Sequence, residues 1–432
     1  MSSTGNLKAV RVYLESFGCS ANMADGERML GCLEAAGAQT VSNPREADVL
    51  IYNTCAVKGP TEDRMISLLK SAPKGRKLIV AGCLPLINLE RLRREVSFDG
   101  VVGPAPTSEI VEAVGRVVKG EKPAILKVKP KPEPDMPVKT LFPVRRIIVA
   151  AYGCLGDCSF CCVKFARGRL RSYSPEEILK QVERAVKAGA REIWLTSQDL
   201  SCYGLDAGSN LAELLEKVVE VEGDFKVRVG MMNPNHLLPI LKRTVEAFAH
   251  PKIFKFLHVP VQSGSDKVLR LMNRFYTSQD FETVVAAFRR RLPDITLATD
   301  IICGFPGETE EDFQQTINLL EKVRPDIVNL SKFYPRPRTP ASRMEKLPTQ
   351  VVKERSRVLS KLAGDLALER NRKWVGWEGE VIVDEEGWKG NLIGRNYAYK
   401  PVAVSEGKLG ETVKVKIVAA SRYCLKGEIL AS

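Results

Sequence analysis

Six short runs rich in apolar and β-branched residues, at 146–152, 192–196, 226–231, 254–259, 296–302 and 327–333, recur with helical patterns between them. This alternation constrains the fold more than any other feature of the chain. Repeated βα units predict a parallel sheet, and six of them predict a sheet curled into a partial (β/α)6 barrel. The intervening helices are marked by their caps. Ser174-Pro175-Glu176-Glu177 supplies an N-cap serine, a first-turn proline and a reciprocal Glu. Thr277 with Asp280 and Thr309 with Asp312 repeat that logic.

In such barrels chemistry gathers at the carboxyl ends of the strands. Directly after the first run stand Cys154, Cys158 and Cys161, a C-x3-C-x2-C triplet with Phe160 before its last member. Three thiolates supply three ligands of a [4Fe–4S] cluster and leave one iron open to a small molecule. Closed electron-carrying clusters use four cysteines. A structural zinc site also needs a fourth ligand, and no histidine stands close to the triplet.

The region before the barrel, 1–120, alternates short apolar runs with helical patterns and reads as an open α/β sheet domain. Cys19, Cys55 and Cys83 each follow one of its predicted strands, at 9–15, 48–52 and 77–81. Carboxyl ends of strands in such a sheet converge on one crevice, so the three thiols are candidates for a second site. A Pro/Lys-rich linker spans 121–142, and the central unit covers 143–368. A basic helix at 350–373 leads into a tail, 369–432, with alternating strands at 380–384, 401–404 and 412–418. Glycines between them predict a small β-barrel.

The net charge of +13 points to a polyanionic partner, most simply nucleic acid. Eleven cysteines without dense spacing indicate metal or catalytic use in a reducing compartment rather than a disulfide scaffold. No apolar run reaches 18 residues and 1–8 is polar, so a cytoplasmic protein with no membrane segment is expected.

The triplet with Phe160 resembles the radical S-adenosylmethionine (SAM) superfamily, where the open iron chelates SAM and the aromatic packs near the adenine. The words Ser16-Phe-Gly-Cys19-Ser-Ala-Asn22, Tyr52-Asn-Thr-Cys55-Ala-Val57 and Ala81-Gly-Cys83 resemble the amino-terminal domain of the methylthiotransferases. That family carries an auxiliary [4Fe–4S] cluster and ends in an RNA-binding TRAM barrel. The resemblance therefore implies two [4Fe–4S] clusters, one on Cys154, Cys158 and Cys161 and one on Cys19, Cys55 and Cys83.

It further implies SAM contacts at Gln198 and Asp199, and at Asp300 and Gly304 in the segment Asp300-Ile-Ile-Cys-Gly-Phe-Pro-Gly-Glu-Thr309. Bacterial relatives have Asn where this chain has Asp199. The basic segment Lys164, Arg167 and Arg169 is expected to grip phosphate or the SAM carboxylate. Arg395, Tyr397, Tyr399 and Lys400 combine cations with aromatics, as RNA contacts do.

Gly153-Cys-Leu155, Lys164-x-Ala-Arg167-Gly168, Glu192-Ile-Trp-Leu-Thr196, Val259-Pro-Val-Gln-Ser263 and Phe333-Tyr-Pro-Arg-Pro337 resemble the archaeal and eukaryotic branch acting on threonylcarbamoyladenosine (t6A) in tRNA. The mechanism implied uses SAM twice. One SAM methylates a sulfur at the auxiliary cluster, and a second yields a 5′-deoxyadenosyl radical that takes hydrogen from C2 of adenosine 37. The partner implied is the tRNA anticodon loop; the sequence identifies neither the electron donor nor the sulfur donor. Alternatives are methylthiolation of isopentenyladenosine or of a ribosomal protein aspartate, and a non-enzymatic iron–sulfur RNA-binding protein.

Overall fold

A computed structural model describes residues 7–127, 131–387 and 390–430. Residues 1–6 of the polar start and 128–130 of the predicted linker lie outside the described residues.

Six parallel strands form the first sheet: β1 (Arg11–Ser16), β2 (Gln39–Thr40), β3 (Val49–Thr54), β4 (Lys77–Gly82), β5 (Gly100–Val102) and β6 (Ala124–Ile125). Their spatial order is β2-β1-β3-β4-β5-β6. Strand β3 is buried along its whole length because helices cover both faces of the sheet. The two-residue period of a strand sorts its side chains accordingly. Val49 and Ile51 pack with Met29, Leu33 and Val114, whereas Leu50 and Tyr52 pack with Met65, Ile66 and Leu69.

The central unit holds β7 (Arg145–Val149), β8 (Ala151–Tyr152), β9 (Arg171–Ser172), β10 (Glu192–Thr196), β11 (Lys226–Val229), β12 (Phe256–His258), β13 (Thr296–Cys303) and β14 (Ile327–Lys332). Two parallel three-stranded sheets, β11-β10-β7 and β12-β13-β14, meet through a bridge between Val227 and Ile253 and form the partial barrel. The run expected at 146–152 is two strands. After β7 the chain turns, and β8 pairs antiparallel with β9 to clamp the ends of the cysteine loop. The capping boxes read at Ser174, Thr277 and Thr309 are present, each with both reciprocal hydrogen bonds.

Helix Thr349–Arg372 crosses β14 and leads to the tail. There β15 (Glu378–Glu386), β16 (Leu392–Arg395), β17 (Pro401–Val404), β18 (Thr412–Ala420) and β19 (Leu425–Ile429) close into a barrel in the order β15-β16-β17-β19-β18. Its core is mostly valine, including Val381, Val383, Val402, Val404 and Val415, which suits tightly curved strands. No helix among the described residues is long and apolar enough to cross a membrane.

Candidate active site

The loop between β8 and the helix Val163–Arg167 brings Cys154, Cys158 and Cys161 together at the carboxyl end of the barrel. A side chain on Gly156 would fill the space between two of the sulfurs, with its Cβ 3.3 Å from Cys154 Sγ and 3.7 Å from Cys158 Sγ. The amide of Gly156 donates to Cys154 Sγ at 3.1 Å. Arg274 Nη1 donates to Cys158 Sγ at the same distance. A hydrogen bond from Cys202 holds the Cys154 thiol below its ordinary value, against the opposing effect of burial. Burial and the neighbouring Cys158 push Cys161 up to about 12. Three convergent sulfurs with donors aimed at two of them fit an anionic cluster, whose thiolates accept such hydrogen bonds.

Cys19, Cys55 and Cys83 converge as well. Cys19 is the N-cap of helix Ser20–Ala35, Cys55 follows β3, and Cys83 follows β4. The close approach of the first two loops depends on Gly18 at φ +106°. A Cβ there would lie 2.6 Å from Cys55 Cβ and 2.9 Å from its sulfur. Cys55 and Cys83 are buried, and burial raises both thiols, Cys83 to about 12, while Arg167 pulls the other way. Cys162, beside the first triplet, is buried and points its thiol at the carbonyls of Ala56 and Val57. It faces the second trio's loop rather than joining the first.

The two trios meet across one seam. Ser20 and Thr196 hydroxyls hydrogen-bond at 2.7 Å. Tyr152 Oη donates to Asp25 Oδ1 at 3.0 Å and accepts from Arg28 Nη1 at 2.8 Å. Arg167 donates to Asp25 Oδ2 at 2.6 Å and to Asn22 Oδ1 at 3.0 Å.

Beside this seam opens a cleft of about 880 Å³. Phe160, Gln262, Asp300 and Gly304 line its barrel side. Phe160 packs edge-on to Phe305, with ring centroids 6.4 Å apart, and Gly304 lies against Val352. Gln262 holds a left-handed backbone at φ +70° while buried, a conformation that places its side chain in the cleft wall. Asp300 accepts from His258 Nε2 at 3.1 Å and from Asn329 at 2.8 Å. Burial works to raise the Asp300 carboxyl, but His258 and Asn329 keep it below its ordinary value. Lys58, Lys332, Lys346 and Lys353 also line the cleft, and none is ion-paired among the described residues.

Several expected contacts are corrected by burial. Asp199 is 1% exposed and already accepts from the Ser201 amide and hydroxyl, the Asn233 amide and His236. It organises the turn after β10 and is not offered to a SAM ammonium. Gln198 is only half-buried; its Oε1 accepts from the Gly153 amide at 2.6 Å, so it also positions the cysteine loop. Arg167 is buried in the seam and is no surface phosphate contact. Arg169 is exposed, and Lys164 is ion-paired with Asp157.

The tail motif also turns inward. Tyr399 packs edge-on to Phe254 and tilted against Phe256, with ring centroids 4.8 and 5.2 Å apart. Lys400 donates to Asp326 and Asn371, both at 2.8 Å, and Arg395 pairs with Asp384. The segment fastens the tail barrel to the central one, because β16 and β17 aim their connecting loop at it. Of this group only Tyr397 keeps an exposed ring edge, with its hydroxyl on Asp294. Arg274, Cys202, His236 and the cleft lysines carried no readable spacing, since they reach the site from separate loops and strand ends.

Family models match three stretches: the Radical SAM superfamily over 148–320, Uncharacterized protein family UPF0004 over 11–103, and the TRAM domain over 372–430. Among solved structures, the radical S-adenosylmethionine methyltransferase TsrM from Kitasatospora setae shares the fold at TM-score 0.56 and 14% identity, over 78% of this chain and 77% of that one. A probable threonylcarbamoyladenosine tRNA methylthiotransferase of Pyrococcus abyssi is 43% identical over 98% of this chain and 100% of its own length. The human threonylcarbamoyladenosine tRNA methylthiotransferase is 37% identical over 97% of this chain and 74% of its own. With such identity along nearly its whole length, the chain belongs to the threonylcarbamoyladenosine tRNA methylthiotransferase family.

Proposed function

We propose that this protein installs a methylthio group at C2 of t6A37 in the tRNA anticodon loop, in the cytoplasm. The observation that carries the reading is the meeting of two cysteine trios across one seam. Cys154, Cys158 and Cys161 would hold the cluster that takes SAM, and Cys19, Cys55 and Cys83 an auxiliary cluster. When bound, these groups and SAM supply the one-electron chemistry and the sulfur.

The protein's own residues do the rest. Gln198 and the Gly156 amide set the shape of the SAM-cluster loop, and Phe160 with Gly304 leaves a flat apolar slot for an adenine. The cleft mouth offers lysines with no ion pair among the described residues: Lys58, Lys332 and Lys353. They suit RNA phosphate and the threonyl carboxylate that distinguishes t6A from an isopentenyl nucleoside.

The test is anaerobic reconstitution, then incubation with SAM, a strong reductant and tRNA carrying t6A37, followed by nucleoside mass spectrometry. The expected product is t6A with methylthio in place of one hydrogen. Absence of 5′-deoxyadenosine would sink the enzyme reading. Modification of isopentenyladenosine alone would move the chain to the other substrate.

A further inference from the structure

The buried charges around the N-terminal trio do not balance. Asp25, wholly buried, faces two guanidiniums: Arg167 at 2.6 Å and Arg28 at 3.7 Å. Arg167 and Arg28 are themselves 4% and 7% exposed. Their other partners, Asn22 and Tyr152, are neutral. Glu27 is the other buried carboxylate nearby; it accepts from the Leu141 amide and Thr140, and Arg146 comes ahead of Arg28 among its neighbouring cations. Around Asp25, two guanidiniums therefore face one carboxylate, a costly arrangement unless an anion lies within reach. The helix Val163–Arg167 packs against the helix Leu84–Ile87 that follows Cys83, and Arg167 Nη2 donates to Asn22 Oδ1 at 3.0 Å in the first turn after Cys19. The N-terminus of the 16-residue helix capped by Cys19 adds positive potential from the other side. An oxidised four-iron core held by three thiolates is a monoanion, which matches the leftover charge.

Arg167 does not belong to the domain that carries those cysteines. It ends the short helix Val163–Arg167, which begins next to Cys161. We infer that Arg167 is a positioning residue of the auxiliary site: it supplies the counter-charge of the N-terminal cysteine trio, so that site is complete only when the barrel docks. This rests on the two-cluster reading above. The same helix thus starts at one trio and delivers a cation to the other.

A mere bolt between domains would need only the Arg167–Asp25 contact, and loss of either partner would then act alike. A counter-charge predicts opposite signs, because the Asp25 carboxylate opposes Arg167. The full-length chain carrying C154A, C158A and C161A, reconstituted with iron and sulfide, reports the N-terminal trio alone. In that background the midpoint potential, followed by EPR, should move negative in Arg167→Gln and positive in Asp25→Asn. Arg167→Lys should stay near the parent. Shifts of the same sign, or none, would overturn the inference, as would loss of iron with collapse of the apoprotein melting transition in both variants. Loss of iron in Arg167→Gln alone, with the apoprotein transition unchanged, supports it. If the triple variant binds no iron, the two-cluster reading falls first and this inference with it.

Discussion

The two cysteine trios reach the same kind of geometry by opposite routes. Cys154, Cys158 and Cys161 sit in one loop and converge through local turns, whereas Cys19, Cys55 and Cys83 are gathered from three strand ends of a parallel sheet. All three cysteines of the first trio are partly exposed, whereas the second combines buried Cys55 and Cys83 with an exposed Cys19. A loop can adjust around a cluster and present it to a small molecule. A sheet crevice is fixed by the packing of its strands, and here an arginine from the neighbouring domain enters it as well. The contrast suits one site that adjusts as SAM binds and leaves and another whose ligands are held in place by the packing of the sheet.

The sharpest way to break the comparison is to remove one sulfur from each trio. Cys158→Ala should reduce 5′-deoxyadenosine formation by at least about a hundredfold, since a whole ligand is lost. Cys55→Ala should retain that formation and lose methylthio transfer. If Cys55→Ala also stopped SAM cleavage, the trios would not be separable.

Arg274→Gln comes next. It deletes a charge-assisted hydrogen bond to Cys158, worth about 1.5–3 kcal/mol, and should slow SAM cleavage by roughly 10- to 100-fold. Unchanged single-turnover kinetics would show that the guanidinium does not act on that sulfur.

A pair of glycine variants tests rigidity against adaptability. Gly18→Ala places a methyl 2.6 Å from Cys55 Cβ on a left-handed backbone, so iron at the N-terminal trio should be largely lost. Gly156→Ala meets Cys154 Sγ at 3.3 Å in a loop that can shift, so iron content should fall only partly. Equal losses would erase the distinction between crevice and loop.

The smallest effect concerns pH. Burial opposes protonation of His236, but the hydrogen bond and charge of Asp199 outweigh it and raise the imidazole above 6.5. A raised folded value means stability that is fully present below pH 6.5 and is lost as pH rises through the higher folded value. Thermal melts of the cluster-free chain should show this decline above pH 6.5, and His236→Gln should flatten it. An identical slope in the variant would remove His236 from the account.

Legibility in the sequence followed the length scale of each feature. The capping boxes were readable because both partners lie within one helical turn. The Cys154 loop was readable because its spacing is a local property of the chain. The second trio was suggested only by repeated strand-to-loop placement. The inward turn of Arg167, Tyr399 and Lys400 was not readable at all: a basic aromatic segment has the same composition whether it faces RNA or Asp25, Phe254 and Asp326. Burial is decided by what packs on the other side, and those partners lie 142, 145 and 74 residues away.

The sequence by itself determined the alternation of strands and helices, the three-part organisation and the two sets of thiols. Periodicity, caps and spacing act over a few residues and survive in any context. Only the tertiary structure decided which cations serve the surface and which serve the seam. A guanidinium enters a dry interior only where carboxylates and other acceptors from distant segments converge on it, and that convergence exists nowhere but in the folded chain.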